Sequence, residues 1–269
     1  MISMREGLKE KAQDKKLVRV FFYIFLFLIF SSYIFFSSCS KKLNINELKV
    51  ALSGDYFPFV YTENDTLKGL EIELLNLIEK NLKVPISISE YSFNQKLETF
   101  MESDNNIAIG GVTITDSRKG IFNFSLPYYD ATTTVISKEN SSIVVDSLKS
   151  LANHRLGVLN NSASLLLLEN TLLRERILPA NNLRRYNSLQ SLLTGLNNNE
   201  IALILLDNTV AELVCEENDF KIIYKHISPI QYAIVFHKES NLVNYINKVL
   251  ETILISTEWK EIKKNYLLN

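Results

Sequence analysis

The chain has 269 residues, 46% of them hydrophobic and 22% charged, with a formal net charge of −1, three histidines and two cysteines. That length accommodates two modest lobes or one large domain. The charge balance argues against a nucleic-acid binder, which needs a strongly basic face, and two cysteines exclude a disulfide scaffold.

Residues Met1 to Arg19 are polar and basic, and an apolar run from Val20 to Phe36 follows, interrupted only by Ser31 and Ser32. It ends in Phe36-Ser37-Ser38-Cys39-Ser40. A charged start, an apolar middle and small residues at a cut site make a secretory signal over residues 1–38. A cysteine directly after the small residues resembles a lipoprotein signal, although Phe36 departs from the usual leucine. That resemblance implies a diacylglycerol on the Cys39 thiol, palmitate incorporation, and Cys39 as the new N-terminus. The alternative is an uncleaved anchor helix, but the run is at the short edge of what spans a bilayer. Either way the body is exported and tethered, periplasmic or on the cell surface. The leader holds six of the 29 basic and three of the 30 acidic residues, so the body carries a net −4.

Residues 39–47 read as a polar tether, and Leu48-Lys49-Val50-Ala51-Leu52 as a strand. A helix is expected from Leu70 to Leu82, with Leu74, Leu77, Ile78 and Leu82 on one face and Pro85 as its stop. Ile86 to Ser89 alternates as a strand, Phe93 to Glu102 as a helix, and Ile107 to Ile109 forms a short buried strand. Thr132 to Ser137 is extended. The pattern then restarts with a strand from Arg155 to Leu159 and helices from Ser164 to Arg176 and Ser188 to Leu196. The apolar strand Ile201 to Leu206 ends in Asp207. A late strand, Ala233 to Phe236, precedes a long helical region from Leu242 to Tyr266. Two rounds of alternating strands and helices predict an α/β protein of two lobes, each a mostly parallel sheet flanked by helices. Ligands of such sheets sit beyond the carboxyl ends of the strands.

Four post-strand clusters therefore matter: Ser53 to Phe59, Gly110 to Arg118, Asn160 to Ser164, and Asp207-Asn208. The Tyr-x-Pro-Phe of the first, the Gly69-Leu70-Glu71-Ile72-Glu73-Leu74 opening the first helix, the Gly-x-Thr-Ile-Thr-x-x-Arg of the second, and Phe124-Ser125-Leu126-Pro127-Tyr128 carry a resemblance. The chain resembles the family 3 extracellular solute-binding proteins, the polar amino acid receptors of ABC importers, from about Leu48 to Tyr266.

That resemblance implies a type II two-lobe binding-protein fold with the ligand cleft between lobes. Lobe one is expected at residues 48–136 and 231–269, and lobe two at 137–230, with hinge crossings near 134–137 and 228–232. In a dehydrated cleft each charge of an amino acid needs an opposite charge. Arg118 supplies a planar fork for the carboxylate, with the Gly111 amide, Thr113 and Ser162 as further donors. Asp207 takes the ammonium, with a helix N-cap as its alternative role. Tyr56 and Phe93 match positions whose rings wall the ligand side chain, with core packing as the alternative. Ser53 stands where many members carry an aspartate that contacts cationic side chains, which favours an uncharged or acidic amino acid over a basic one. Asn161 replaces a frequent glycine.

The expected partners are an ABC permease in the membrane and the lipid bilayer through Cys39, with a monomeric receptor, no nucleic acid, no cofactor and no metal. Glu71 and Glu73 do not share a helix face, and a structural or permease-docking role is expected for them. Cys215 is expected to be a buried, inert thiol. No phosphate loop, Gly-x-Ser-x-Gly or Cys-His pair is present, so no catalytic residue is assigned. Two rival functions remain: a ligand-sensing receptor subunit, and a periplasmic cyclohexadienyl dehydratase-like enzyme of the same fold with Asp207 as its acid.

Overall fold

Burial alternates along the first strand. In the computed structural model, which describes residues 45–53, 56–91, 97, 99, 104–225 and 227–266, strand β1 (Leu48–Ser53) sends Leu48, Val50 and Leu52 into the large core. Ala51 faces the other way, into a small cluster with Leu97, Ala108, Phe122 and Val235. This is the two-residue period of a strand covered on both sides.

A hairpin, β2 (Tyr61–Glu63) and β3 (Thr66–Lys68), leads to helix α1 (Leu70–Leu82). The first N–H groups of a helix have no partner within it. Here Leu70 donates to the Pro58 carbonyl and Glu71 to the Phe59 carbonyl, each at 3.0 Å. Gly69 permits this approach: its φ is +124°, and a Cβ there would lie 2.2 Å from the Phe59 carbonyl oxygen. The Tyr-x-Pro-Phe and Gly-Leu-Glu segments are thus one structural unit. The helix ends at Lys83 in the left-handed conformation, two residues before Pro85.

The chain continues through β4 (Ile86–Tyr91), β5 (Ile107–Ile109), α2 (Asp116–Ile121) and β6 (Phe122–Phe124), then crosses in β7 (Tyr129–Lys138). There follow β8 (Leu156–Leu159), α3 (Ala163–Leu168), β9 (Leu183–Tyr186), α4 (Leu189–Asn197), β10 (Leu203–Asp207), α5 (Asn208–Glu217) and β11 (Phe220–Tyr224). It returns through β12 (Pro229–Tyr232) and β13 (Val235–His237) to α6 (Leu242–Ile255) and α7 (Thr257–Tyr266).

Besides the β2-β3 hairpin, the described residues form two larger sheets, ordered β4-β1-β5-β13-β6 and β11-β7-β10-β8-β9, with β12 paired to β7. Parallel pairing is confined to β4-β1-β5 and to β10-β8-β9. The antiparallel pairs of these two sheets all involve β7 or β13, the strands by which the chain leaves and re-enters the first lobe through direct strand connections rather than helical crossovers.

The link between lobes is an antiparallel ribbon in which Tyr129 to Thr132 of β7 pair with β12. From Thr133 onward β7 already pairs with β10, and farther along with β11. This ribbon at 129–132 lies upstream of the crossing expected at 134–137, and the pairing of β7 with β10 begins at Thr133. One long strand serves hinge and sheet alike, so hydropathy alone marks no boundary in it.

The expected helical region from Leu242 to Tyr266 is two helices. Ser256 is extended, and its Oγ accepts from the Trp259 N–H at 3.1 Å, capping α7. Trp259 is fully buried against the large core. Likewise α3 ends at Leu168 and continues as a π turn to Leu173. Cys215 is half-buried rather than buried, and burial pushes its thiol up to about 11, so it stays protonated. Among the described residues no helix is long and apolar enough to cross a membrane.

Candidate ligand-binding site

Asp207 is the last residue of β10, opposite Thr133 of β7. Four apolar residues bury the strand before it, and the chain turns directly into α5. Asp207 occupies the N-cap position of that helix, yet its side chain makes no cap hydrogen bond. The carboxylate turns instead to two tyrosines: Oδ2 accepts from the Tyr56 hydroxyl at 2.5 Å and from the Tyr232 hydroxyl. Burial pushes the Asp207 carboxyl up to about 6, against the opposing effect of the Tyr56 bond. Burial, and then the charge of Asp207, hold the Tyr56 phenol well above its ordinary value.

Tyr56 sits in the turn after β1, where its N–H donates to the Val60 carbonyl at 2.7 Å. Its ring stacks on Phe59, and Phe59 and Tyr129 both pack on Tyr232. Tyr56 is thus part of the core. Its hydroxyl spans the seam from the first lobe to the second.

Arg118 lies on α2, whose N-cap Thr115 accepts from the Arg118 backbone N–H at 3.2 Å. Its guanidinium donates to the Thr113 carbonyl and, across the seam, to the Asn161 carbonyl, both at 2.9 Å. Asn161 has a φ of 57°, a left-handed conformation that glycine and asparagine tolerate best. Thr113 is buried and forms a bridge with Tyr232. Ser162 caps α3: its Oγ accepts from the Leu165 N–H at 3.1 Å and donates to the Leu159 carbonyl at 2.7 Å.

Beside Arg118 a hollow of about 430 Å3 opens between the lobes, lined by Ile121 and Phe122 on one side and Asn160, Ser162 and Leu165 on the other. That volume is within the range of small-molecule sites. At its margin Arg185 pairs with Glu169 at 2.9 Å. Tyr56 and Asp207 do not line this hollow.

The Gly111 amide, expected to serve a ligand, donates instead to Oε1 of Glu71 at 2.8 Å. Glu71 is fully buried, which removes it from any docking surface, while Glu73 faces Tyr266 and Asn76. The side chain of Ser53, all of Phe93 and all of Cys39 lie outside the described residues. Two participants were not assigned from the sequence. Tyr232 stands in the expected hinge, but its contact with Asp207 is tertiary. Glu71 precedes Leu74, Leu75 and Ile78 by three, four and seven residues, the spacing of a buried helix face, and that signal could have found it.

The sequence also matches the family model for bacterial extracellular solute-binding proteins, family 3, over residues 48–269. The chain belongs to that family. The arginine-binding extracellular protein ArtP of Bacillus subtilis is 26% identical to it over 236 residues, 86% of this chain and 89% of ArtP. The L-cystine-binding protein TcyJ of Escherichia coli K12 is 29% identical over 112 residues, 41% of this chain and 42% of TcyJ. Among solved structures, an ancestral arginine-binding protein bound to arginine superposes with a TM-score of 0.74 at 25% identity, covering 82% of this chain and 98% of that one. The two-lobe α/β fold expected of a family 3 solute-binding protein is the fold found. Solute binding is the role that goes with it, and these relatives are binding proteins rather than enzymes.

Proposed function

We propose that this protein is an exported, lipid-anchored receptor that closes its lobes around a free amino acid and delivers it to an ABC import permease. The observation that carries the reading is the pair of seam contacts: Tyr56 reaching Asp207, and Arg118 reaching Asn161. Both contacts cross the seam, one from a cation of the first lobe and one to a buried carboxyl of the second, which supports a zwitterion as the ligand. In this reading the Arg118 fork grips the α-carboxylate, with Thr113 and Ser162 beside it. Asp207 takes the ammonium, which replaces one or both tyrosine hydroxyls. Tyr56 walls the ligand side chain, as do Ser53 and Phe93. Contacts available only in the closed form make the ligand itself the closing force.

The relatives named above bind arginine or cystine by name. Ser53 supplies no counter-charge for a cationic side chain, so an uncharged or acidic amino acid fits this chain better. Cys39 is the proposed lipid attachment. Its substitution by alanine should abolish labelling with radioactive palmitate and release the protein from membranes.

A thermal-shift panel of the twenty standard amino acids on the full chain in mild detergent tests the ligand class. A ligand at 100 times its dissociation constant adds about 2.7 kcal/mol of stability. No shift from any amino acid would overturn the reading.

A further inference from the structure

From the contacts beneath the cleft we infer that Glu71 is a positioning residue: its buried carboxylate clamps the loop that carries Gly111 and Thr113, and its protonation loosens that clamp. The inference deepens the proposed function, since it concerns a loop assigned there to the ligand, but its geometry stands independently.

Oε1 of Glu71 accepts two hydrogen bonds, from the Gly111 N–H at 2.8 Å and from the Tyr128 hydroxyl. Its other oxygen, Oε2, is buried and has no hydrogen-bond partner among the described residues. A fully buried carboxylate with one unpaired oxygen is costly, and α1 is apolar on this face at Leu74, Leu75 and Ile78. A leucine at position 71 would continue that face.

What the carboxylate does is hold Gly111. Gly111 has a φ of 61°, and a Cβ there would lie 3.1 Å from the Tyr56 ring and 3.9 Å from that of Tyr232. Gly111 is therefore wedged between Glu71 below and the two tyrosines that grip Asp207. Two residues on is Thr113, whose carbonyl holds Arg118. Glu71 thus reaches both halves of the site through one amide.

The titratable groups facing it are few. Tyr128 comes from the bend just before β7. Tyr56, whose phenol feels the charge of Glu71, comes from the turn after β1, and Asp207 lies beyond it. From α7, Tyr266 bonds Glu73 rather than Glu71. Burial raises the Glu71 carboxyl to about 7, and the Tyr128 and Gly111 bonds act the other way. Because Oε1 is taken by two donors, the proton goes to Oε2. The neutral acid is then a weaker acceptor than the carboxylate, for charge-assisted bonds are the stronger. The clamp is tight above neutrality and slack below it.

Gly110-Gly111 is the one Gly-Gly step among the eight glycines of the chain. Labelling glycine with 13C at the carbonyl and 15N at the amide therefore yields a single through-bond correlation, that of Gly111. In the full chain in detergent this amide should titrate with a midpoint near 7, and in Glu71→Gln the titration should vanish. A flat wild-type resonance, or one that titrates equally in Glu71→Gln, overturns the inference.

In parallel, affinities for L-glutamine and L-arginine are measured at pH 8. Glu71→Leu should weaken whichever binds by about tenfold or more, while Glu71→Gln stays closer to wild type. Wild-type affinity in a folded Glu71→Leu also overturns the inference. If neither amino acid binds the wild type, the Gly111 resonance alone decides on Glu71, and the panel of twenty amino acids decides on the proposed function. Should Glu71→Leu fail to fold, Glu71→Gln still decides.

Discussion

Tyr56 of the first lobe donates its hydroxyl to Oδ2 of Asp207 in the second at 2.5 Å. This bond lowers the Asp207 carboxyl while burial raises it. Removing the hydroxyl leaves burial less opposed. In Tyr56→Phe the Asp207 carboxyl should therefore titrate above its wild-type value of about 6, as read by 13C NMR of labelled aspartate. A value at or below wild type would mean that the bond does not govern Asp207.

Two buried acids also set the pH dependence of stability. Glu71 rises from 4.5 to about 7 and Asp207 from 3.8 to about 6 on folding. The folded state therefore holds protons that the unfolded state has released. Stability should fall as pH rises from about 4 to 7, because deprotonating the two acids costs more in the folded state than in the unfolded one. Urea unfolding of ligand-free protein at pH 4.5 and pH 7.5 measures this. In Glu71→Gln the change between those two values should shrink, and an equal change in wild type and variant would contradict the assignment.

Gly69 predicts a steep local cost. Alanine there must adopt a φ of +124° and place its Cβ 2.2 Å from a backbone oxygen. Gly69→Ala should lose about 3 kcal/mol or more, seen as a lower urea midpoint. It should also disturb Tyr56, since the displaced carbonyls belong to the same turn.

The sequence reveals this site unevenly, and the reasons are physical. Asp207 was visible because an apolar strand ending in a carboxylate is anomalous wherever it occurs. Arg118 was proposed from the Gly-x-Thr-Ile-Thr-x-x-Arg motif that carries the resemblance to family 3. Tyr232 was not, because its partner lies 25 residues upstream and only the fold brings the hinge strand to β10. Glu71 was legible in period but not in purpose, since a helix pattern says which face is buried and nothing of what waits there. The expected crossing at 134–137 falls inside β7, one continuous extended strand that pairs first with β12 and then with β10, so hydropathy marks no boundary there. The N-cap reading of Asp207 had the position right and the side chain wrong.

The central claim is that Arg118 recognises the α-carboxylate of an amino acid. Calorimetric titration of wild type and Arg118→Ala, each with the amino acid giving the largest thermal shift and with its α-carboxamide, tests it most directly. Charge-assisted hydrogen bonds contribute about 1.5–3 kcal/mol each. Wild type should thus bind the carboxamide about a hundredfold more weakly than the acid, and Arg118→Ala should bind both weakly and alike. If Arg118→Ala retains wild-type affinity for the amino acid, or still prefers the acid by the wild-type margin, the account is wrong.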